Sequence, residues 1–119
     1  MNKQKLLLSA TAVAFVAFGV ARPAAAETLD VVASFTVLAD VVKQVGGDHV
    51  KVSSLVGPNG DPHEFEPSPA DAKRLNAAKV TFVSGEGLEG WMDRLISASG
   101  YKGTPVVASD GINTRTMVD

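Results

Sequence analysis

Short runs of β-branched and apolar residues alternate with stretches of helical periodicity, and this order is the feature that most restricts the fold. The first run, LDVVASF at 29–35, is apolar at nearly every position, as in a strand covered on both faces. Further runs typical of strands are VKVSSLV at 50–56, KVTFVS at 79–84 and PVVAS at 105–109. Strands that alternate with helices form parallel sheets through right-handed crossovers. The sequence therefore predicts an α/β fold, a partial parallel β-sheet with flanking helices.

Three helices are predicted between these strands. The first is indicated by an i, i+3, i+4, i+7 spacing of Leu38, Val41, Val42 and Val45. Gly46 and Gly47 then end it. The second begins with Ser68 as cap and Pro69 in the first turn. The third is indicated by an apolar face of Leu88, Trp91, Met92 and Leu95.

The first 26 residues are predicted to be an export signal and not part of the fold. Lys3 and Lys5 precede the apolar run 6–20, and three alanines at 24–26 offer a cleavage site before Glu27. A bilayer-spanning helix needs roughly 20 apolar residues, which is longer than this run. The sequence contains no cysteine, so it has no acceptor for a thioether-linked lipid and forms no disulfide. We expect the mature chain, residues 27–119, to be periplasmic.

The charge of the mature chain argues against nucleic acid as a partner. Of 11 basic residues, Lys3, Lys5 and Arg22 belong to the predicted signal, which leaves 8 against 13 acidic residues and a formal charge of −5. Phosphate backbones and anionic membrane surfaces attract basic chains. Both are therefore poor partners for residues 27–119.

The segment GPNGDPHEFEPSP at 57–69 is the candidate ligand-binding loop. It follows the carboxyl end of the second predicted strand, the edge at which open parallel sheets bind ligands. Long connections in compact domains are commonly functional. Prolines restrict its backbone at Pro58, Pro62, Pro67 and Pro69. A ligand that reaches His63 in this loop would meet a side chain that is largely pre-positioned.

His63 is compatible with three roles on its own residue pattern. As a neutral imidazole it suits a transition metal, and Glu64 and Glu66 would add negative potential nearby. As a general base it would need a nucleophile or substrate, yet neither a Gly-x-Ser-x-Gly nor a His-Glu-x-x-His motif is present. A solvent-facing loop histidine is the third reading. The spacing leaves all three open.

A resemblance bears on this choice. The segment DPHEFEPSPADAKRLNAAKVTFVSGEGLEGW at 61–91 resembles the solute-binding proteins of zinc and manganese ABC importers, whose first metal ligand lies in an Asp-Pro-His-Glu-aromatic-Glu-Pro loop. Residues 61–67 match that loop position by position, and the similarity begins at VVASFTVLADVVKQVGGD. The resemblance implies that His63 coordinates the transported zinc or manganese ion, while its neighbours shape the loop.

The resemblance also implies the partners and the domain organisation. The family delivers its metal to a membrane ABC permease, performs no bond chemistry and is expected to act as a monomer. Its further ligands come later in the chain, and residues 64–119 contain none in recognisable context. We therefore expect residues 27–119 to be the incomplete amino-terminal lobe of a bilobed solute-binding protein. A periplasmic metallochaperone, which hands zinc to other proteins, would share the same site and remains an alternative.

A dinucleotide site is a further alternative. Gly85-x-Gly87-x-x-Gly90 follows a predicted strand, and Asp110 lies 20 residues beyond the last glycine. Glu86 and Glu89 argue against it, because they would repel a bound pyrophosphate.

Two further residues are predicted to lie outside the site. His49 precedes the second strand and should lie in a solvated turn at the opposite end of the sheet from His63. Trp91 should pack in the core.

Overall fold

The computed structural model describes residues 25–117, which form one parallel sheet with three α-helices. The elements in chain order are β1 (Leu29–Phe35), α1 (Thr36–Gly46), a 3-10 turn (Gly47–His49), β2 (Val50–Val56), α2 (Pro69–Ala77), β3 (Val80–Val83), α3 (Met92–Ser99) and β4 (Val106–Val107). Within this range, no helix combines the length and apolar character required to cross a bilayer. Residues 1–24 of the predicted export signal lie outside the described residues.

All the strands run in the same direction, in the order β2-β1-β3-β4. The connection from β1 to β2 moves one way along the sheet, and the next two connections move the other way. Right-handed crossovers therefore place α1 on one face and α2 and α3 on the opposite face. The predicted α/β parallel sheet is confirmed.

The core lies between the sheet and the pair α2 and α3. Leu75 of α2 is fully buried, and Met92 and Leu95 of α3 are nearly so. They belong to one apolar cluster with Val32 and Val83 of the central strands. The central strands are thus held by packing on the helices, and the loops follow the carboxyl ends of these strands.

The strands β1 and β2 have the predicted bounds, but the third helix is shorter than predicted. Leu88 lies in a turn that extends to Trp91, and α3 begins only at Met92. The backbone φ angles are +91° at Gly85, +54° at Glu86 and +78° at Gly87. An α-helix requires negative φ, so it cannot include residues 85–87. The Leu88 N–H then donates to the Gly85 carbonyl at 3.1 Å and the Met92 N–H to the Glu89 carbonyl at 3.0 Å, so turns with i to i+3 bonds precede the α-helix.

The apolar face of α1 is only partly covered. The helix packs on β1 and β2, yet Val41 and Val45 remain 53% and 85% exposed. Beside α1, an open groove of about 340 Å³ is lined almost entirely by apolar side chains, among them Phe82 and Val106 of the sheet. The helical periodicity therefore predicted the helix correctly, but not the burial of its apolar face.

A capping box fixes the start of α2, where the long loop ends. The Ser68 hydroxyl accepts from the Asp71 N–H at 3.3 Å, and the Asp71 carboxylate accepts from the Ser68 N–H at 2.8 Å. Arg74 donates to the same carboxylate at 2.5 Å and to the carbonyl of Ser54 in β2 at 3.1 Å. These bonds tie the end of the loop to the sheet.

We predict that Asp71→Asn lowers the free energy of unfolding at neutral pH by about 1 kcal/mol. Burial of Asp71 opposes ionisation, but the bonds from Ser68 and the nearby Arg74 outweigh it and lower the pKa of this carboxyl below 3.8. A lowered pKa stabilises the fold above the ordinary value and loses that effect as the pH falls through the folded value. Urea unfolding of the full-length protein at pH 7 and pH 3 measures the difference.

The matched control is Asp93→Asn, because Asp93 is an exposed acidic residue in the first turn of α3. It should leave the unfolding free energy nearly unchanged at both pH values. A difference between wild type and Asp71→Asn that is as large at pH 3 as at pH 7 would contradict the proposed role of the charge.

Candidate metal site

Two connections meet at the carboxyl edge of the sheet. Residues 57–68 follow β2 and contain His63, and residues 84–91 follow β3 and lead into α3. The other histidine, His49, immediately precedes β2 and therefore lies at the amino edge. The predicted separation of the two histidines is confirmed, and His63 is the histidine at the ligand-binding edge of the fold.

The loop leaves β2 through a tight turn. The Gly60 N–H donates to the Gly57 carbonyl at 3.0 Å, which closes the GPNG turn. A Cβ atom on Gly60 would lie 2.6 Å from a methyl group of Val56, so only glycine fits this position without displacement. This turn reverses the direction of the chain just before the segment that contains His63.

The Asp61 carboxylate holds His63 locally. One of its oxygens accepts from the His63 backbone N–H at 2.8 Å and lies 3.2 Å from the ring atom Nδ1. The tautomer with its proton on Nδ1 donates to this oxygen and leaves the Nε2 lone pair available for a metal ion. Asp61 is thus the acceptor that orients the ring, a role that the sequence pattern did not assign.

The electrostatics of this pair favour cation binding. The backbone N–H of His63, together with its ring, lowers the pKa of the Asp61 carboxyl below the ordinary value of 3.8, so the carboxylate is charged at neutral pH. The His63 side chain is 68% exposed. An exposed ring beside a carboxylate offers a ligand that an incoming cation reaches without displacing other groups.

His63 is not accompanied by a complete ligand set. Across residues 25–117, no group of three or more histidine, cysteine, aspartate or glutamate side chains is arranged to hold a metal ion. Glu64 and Glu66 are exposed on the same loop. Transition-metal sites that hold an ion firmly usually close four positions around it. His63 can therefore supply one ligand of a site that needs others.

The loop is also attached to the neighbouring connection. Trp91 is 2% exposed, as its predicted core position requires. Its indole N–H donates to the Pro62 carbonyl at 2.7 Å, and its ring meets Phe65 edge-on with centroids 4.8 Å apart. The loop after β2 therefore reaches across the sheet edge to the connection after β3.

The glycine-rich turn does not provide a free phosphate site. The buried carboxylate of Glu89 accepts from the N–H groups of Ser84 at 2.7 Å and Gly85 at 3.1 Å, and from the Ser34 hydroxyl at 2.5 Å. These are the donors that a pyrophosphate would require. A Cβ atom on Gly85 would also lie 2.5 Å from side-chain atoms of Val107 and Ser109, so this glycine permits close packing against β4.

Comparisons with known proteins agree with this geometry. Residues 31–119 match the family model described as the periplasmic component A of the zinc-uptake complex, ZnuA. The manganese-binding lipoprotein MntA of Bacillus subtilis is 35% identical over 92 residues, which cover 77% of this chain and 30% of that protein. The solved structure of a zinc-bound ZnuA deletion mutant is 31% identical, with a TM-score of 0.67, and covers 73% of this chain and 34% of that one.

A manganese-bound periplasmic metal-binding protein from Candidatus Liberibacter asiaticus has the same fold. It is 26% identical, with a TM-score of 0.67, over 72% of this chain and 32% of that chain. The present chain thus spans about a third of the length of the relatives that it matches. The family match, residues 31–119, includes the loop with His63.

We predict that zinc titrated calorimetrically into residues 27–119 reveals no submicromolar site, because one imidazole cannot enclose the ion. A tight one-to-one isotherm would contradict this conclusion and would mean that these residues supply the missing ligands themselves.

Proposed function

The chain belongs to the family of periplasmic components A of zinc-uptake complexes, and on that premise we propose that it captures a zinc or manganese ion outside the cytoplasm for an ABC importer. The observation that carries the proposal is His63, held at the carboxyl edge of the sheet with Nδ1 facing Asp61 and the ring exposed. That arrangement suits capture of a cation through Nε2. The manganese-binding lipoprotein MntA and the zinc-bound ZnuA structure, both similar to this chain, support the same class of cargo.

We further propose that residues 27–119 form the amino-terminal lobe of a bilobed protein. In this account His63 is the first metal ligand and residues of the second lobe supply the others. The share of the relatives' length that the chain covers, about a third, supports this division. The loaded protein would then dock on a membrane permease and release the ion there. No step makes or breaks a covalent bond, so we propose a binding protein and not an enzyme.

The proposed location is extracytoplasmic. MntA of Bacillus subtilis is named a lipoprotein, whereas the 119 residues of this chain contain no cysteine to accept a thioether-linked lipid. A cleaved signal, residues 1–26, is the proposed route of export.

We predict that His63→Ala in the full-length protein raises the zinc dissociation constant by roughly 100-fold or more, because it removes one ligand from a closed site. Competition against a zinc chelator of known affinity measures the constant. The matched control is His49→Ala, which removes an exposed histidine at the other edge of the sheet and should leave the constant unchanged. Wild-type affinity in His63→Ala would contradict the assignment.

A further inference from the structure

We infer that Trp91 is a positioning residue for His63, an inference that rests on the proposed function. The two contacts of the indole fall on either side of the histidine: its N–H donates to Pro62 at 2.7 Å, and its ring packs edge-on against Phe65. His63 itself has its hydrogen bonds only with Asp61 in the described residues, two positions away in the same loop. The position of His63 relative to the sheet is therefore set through residues 62 and 65.

Trp91 is suited to this role because it is fixed in the core. Its side chain is 2% exposed and belongs to the apolar cluster that includes Leu95 and Val83. The turn before it is closed by Glu89, which binds the Ser34 hydroxyl of β1 and two backbone N–H groups after β3. The indole is thus attached to the two central strands, whereas the loop that it contacts leaves the edge strand β2.

The physical consequence is preorganisation of the metal ligand. A loop that is held at both sides of His63 has fewer conformations to lose when the ion binds. The prolines at 62 and 67 restrict the same segment from within. Removal of the indole hydrogen bond should therefore weaken metal binding even where the fold is retained.

The contact can be observed directly through the indole N–H of Trp91, which is the one tryptophan of the 119 residues. In a 1H–15N spectrum of the full-length protein, the Trp91 indole signal is the one that Trp91→Phe removes. We expect this signal to shift when zinc binds to His63, because the neighbouring Pro62 carbonyl accepts the indole hydrogen bond and its position and polarity change with the loop. Zinc is the appropriate probe because it is redox-inactive and its closed d shell leaves the signal unbroadened.

The test uses two substitutions of Trp91 in the full-length protein. Trp91→Phe keeps an aromatic ring against Phe65 but removes the donor. Replacement of Trp91 by β-(3-benzothienyl)alanine keeps the bicyclic shape and exchanges the N–H for a sulfur atom that cannot donate. This variant still tests the hydrogen bond if Trp91→Phe fails to fold. Val32→Ala is the control, because it truncates the same apolar cluster from within β1 and leaves the indole and its hydrogen bond to Pro62 in place.

We expect both Trp91 variants to bind zinc about tenfold more weakly than wild type. Val32→Ala should bind within twofold of wild type, and the zinc-dependent shift of the indole signal should vanish in His63→Ala. Affinities of the Trp91 variants equal to that of Val32→Ala would overturn the positioning role while leaving the proposed function intact. Wild-type affinity in His63→Ala would instead overturn the proposed function and this inference with it.

Discussion

The common direction of the four strands is the constraint on which the rest of the structure depends. Parallel strands deliver every connection that follows them to one edge, so the loop after β2 and the turn after β3 come together although 29 residues separate Pro62 from Trp91. The connections after β1 and after β3 lead in opposite directions along the sheet, so a crevice opens between these two strands at that edge. His63 lies there because of this topology and not because of any local preference of its own sequence.

The carboxylates at this edge act mainly as internal acceptors. Asp61 accepts from the His63 N–H, Asp71 from the Ser68 N–H, and Glu89 from the N–H groups of Ser84 and Gly85. Each closes a turn whose backbone donors would otherwise lack partners. These carboxylates therefore shape the backbone of the two connections, and Asp61 also keeps a negative charge beside the His63 ring. Neither requires these carboxylates to bind the metal.

Local patterns predicted much of this architecture, and contacts distant in sequence account for what they missed. The strands β1 and β2, the cap at Ser68 and the histidine of the loop followed from periodicity, capping chemistry and the resemblance of residues 61–67. The start of α3 was predicted too early, because the residues from Leu88 to Trp91 lie in turns closed by Leu88 N–H to Gly85 carbonyl and Met92 N–H to Glu89 carbonyl bonds. The Ser34 to Glu89 bond and the Trp91 to Pro62 bond join residues 55 and 29 positions apart. No local pattern encodes such pairs.

The central claim is that Nε2 of His63 binds the ion while Nδ1 keeps its proton against Asp61. A long-range 1H–15N correlation experiment on the full-length protein, with and without zinc, resolves both nitrogens of each histidine ring. The account predicts that Nε2 of His63 moves to the chemical shift of a metal-bound nitrogen, that Nδ1 stays protonated, and that His49 is unaffected. Ring nitrogens of His63 that are unchanged at saturating zinc would contradict the account.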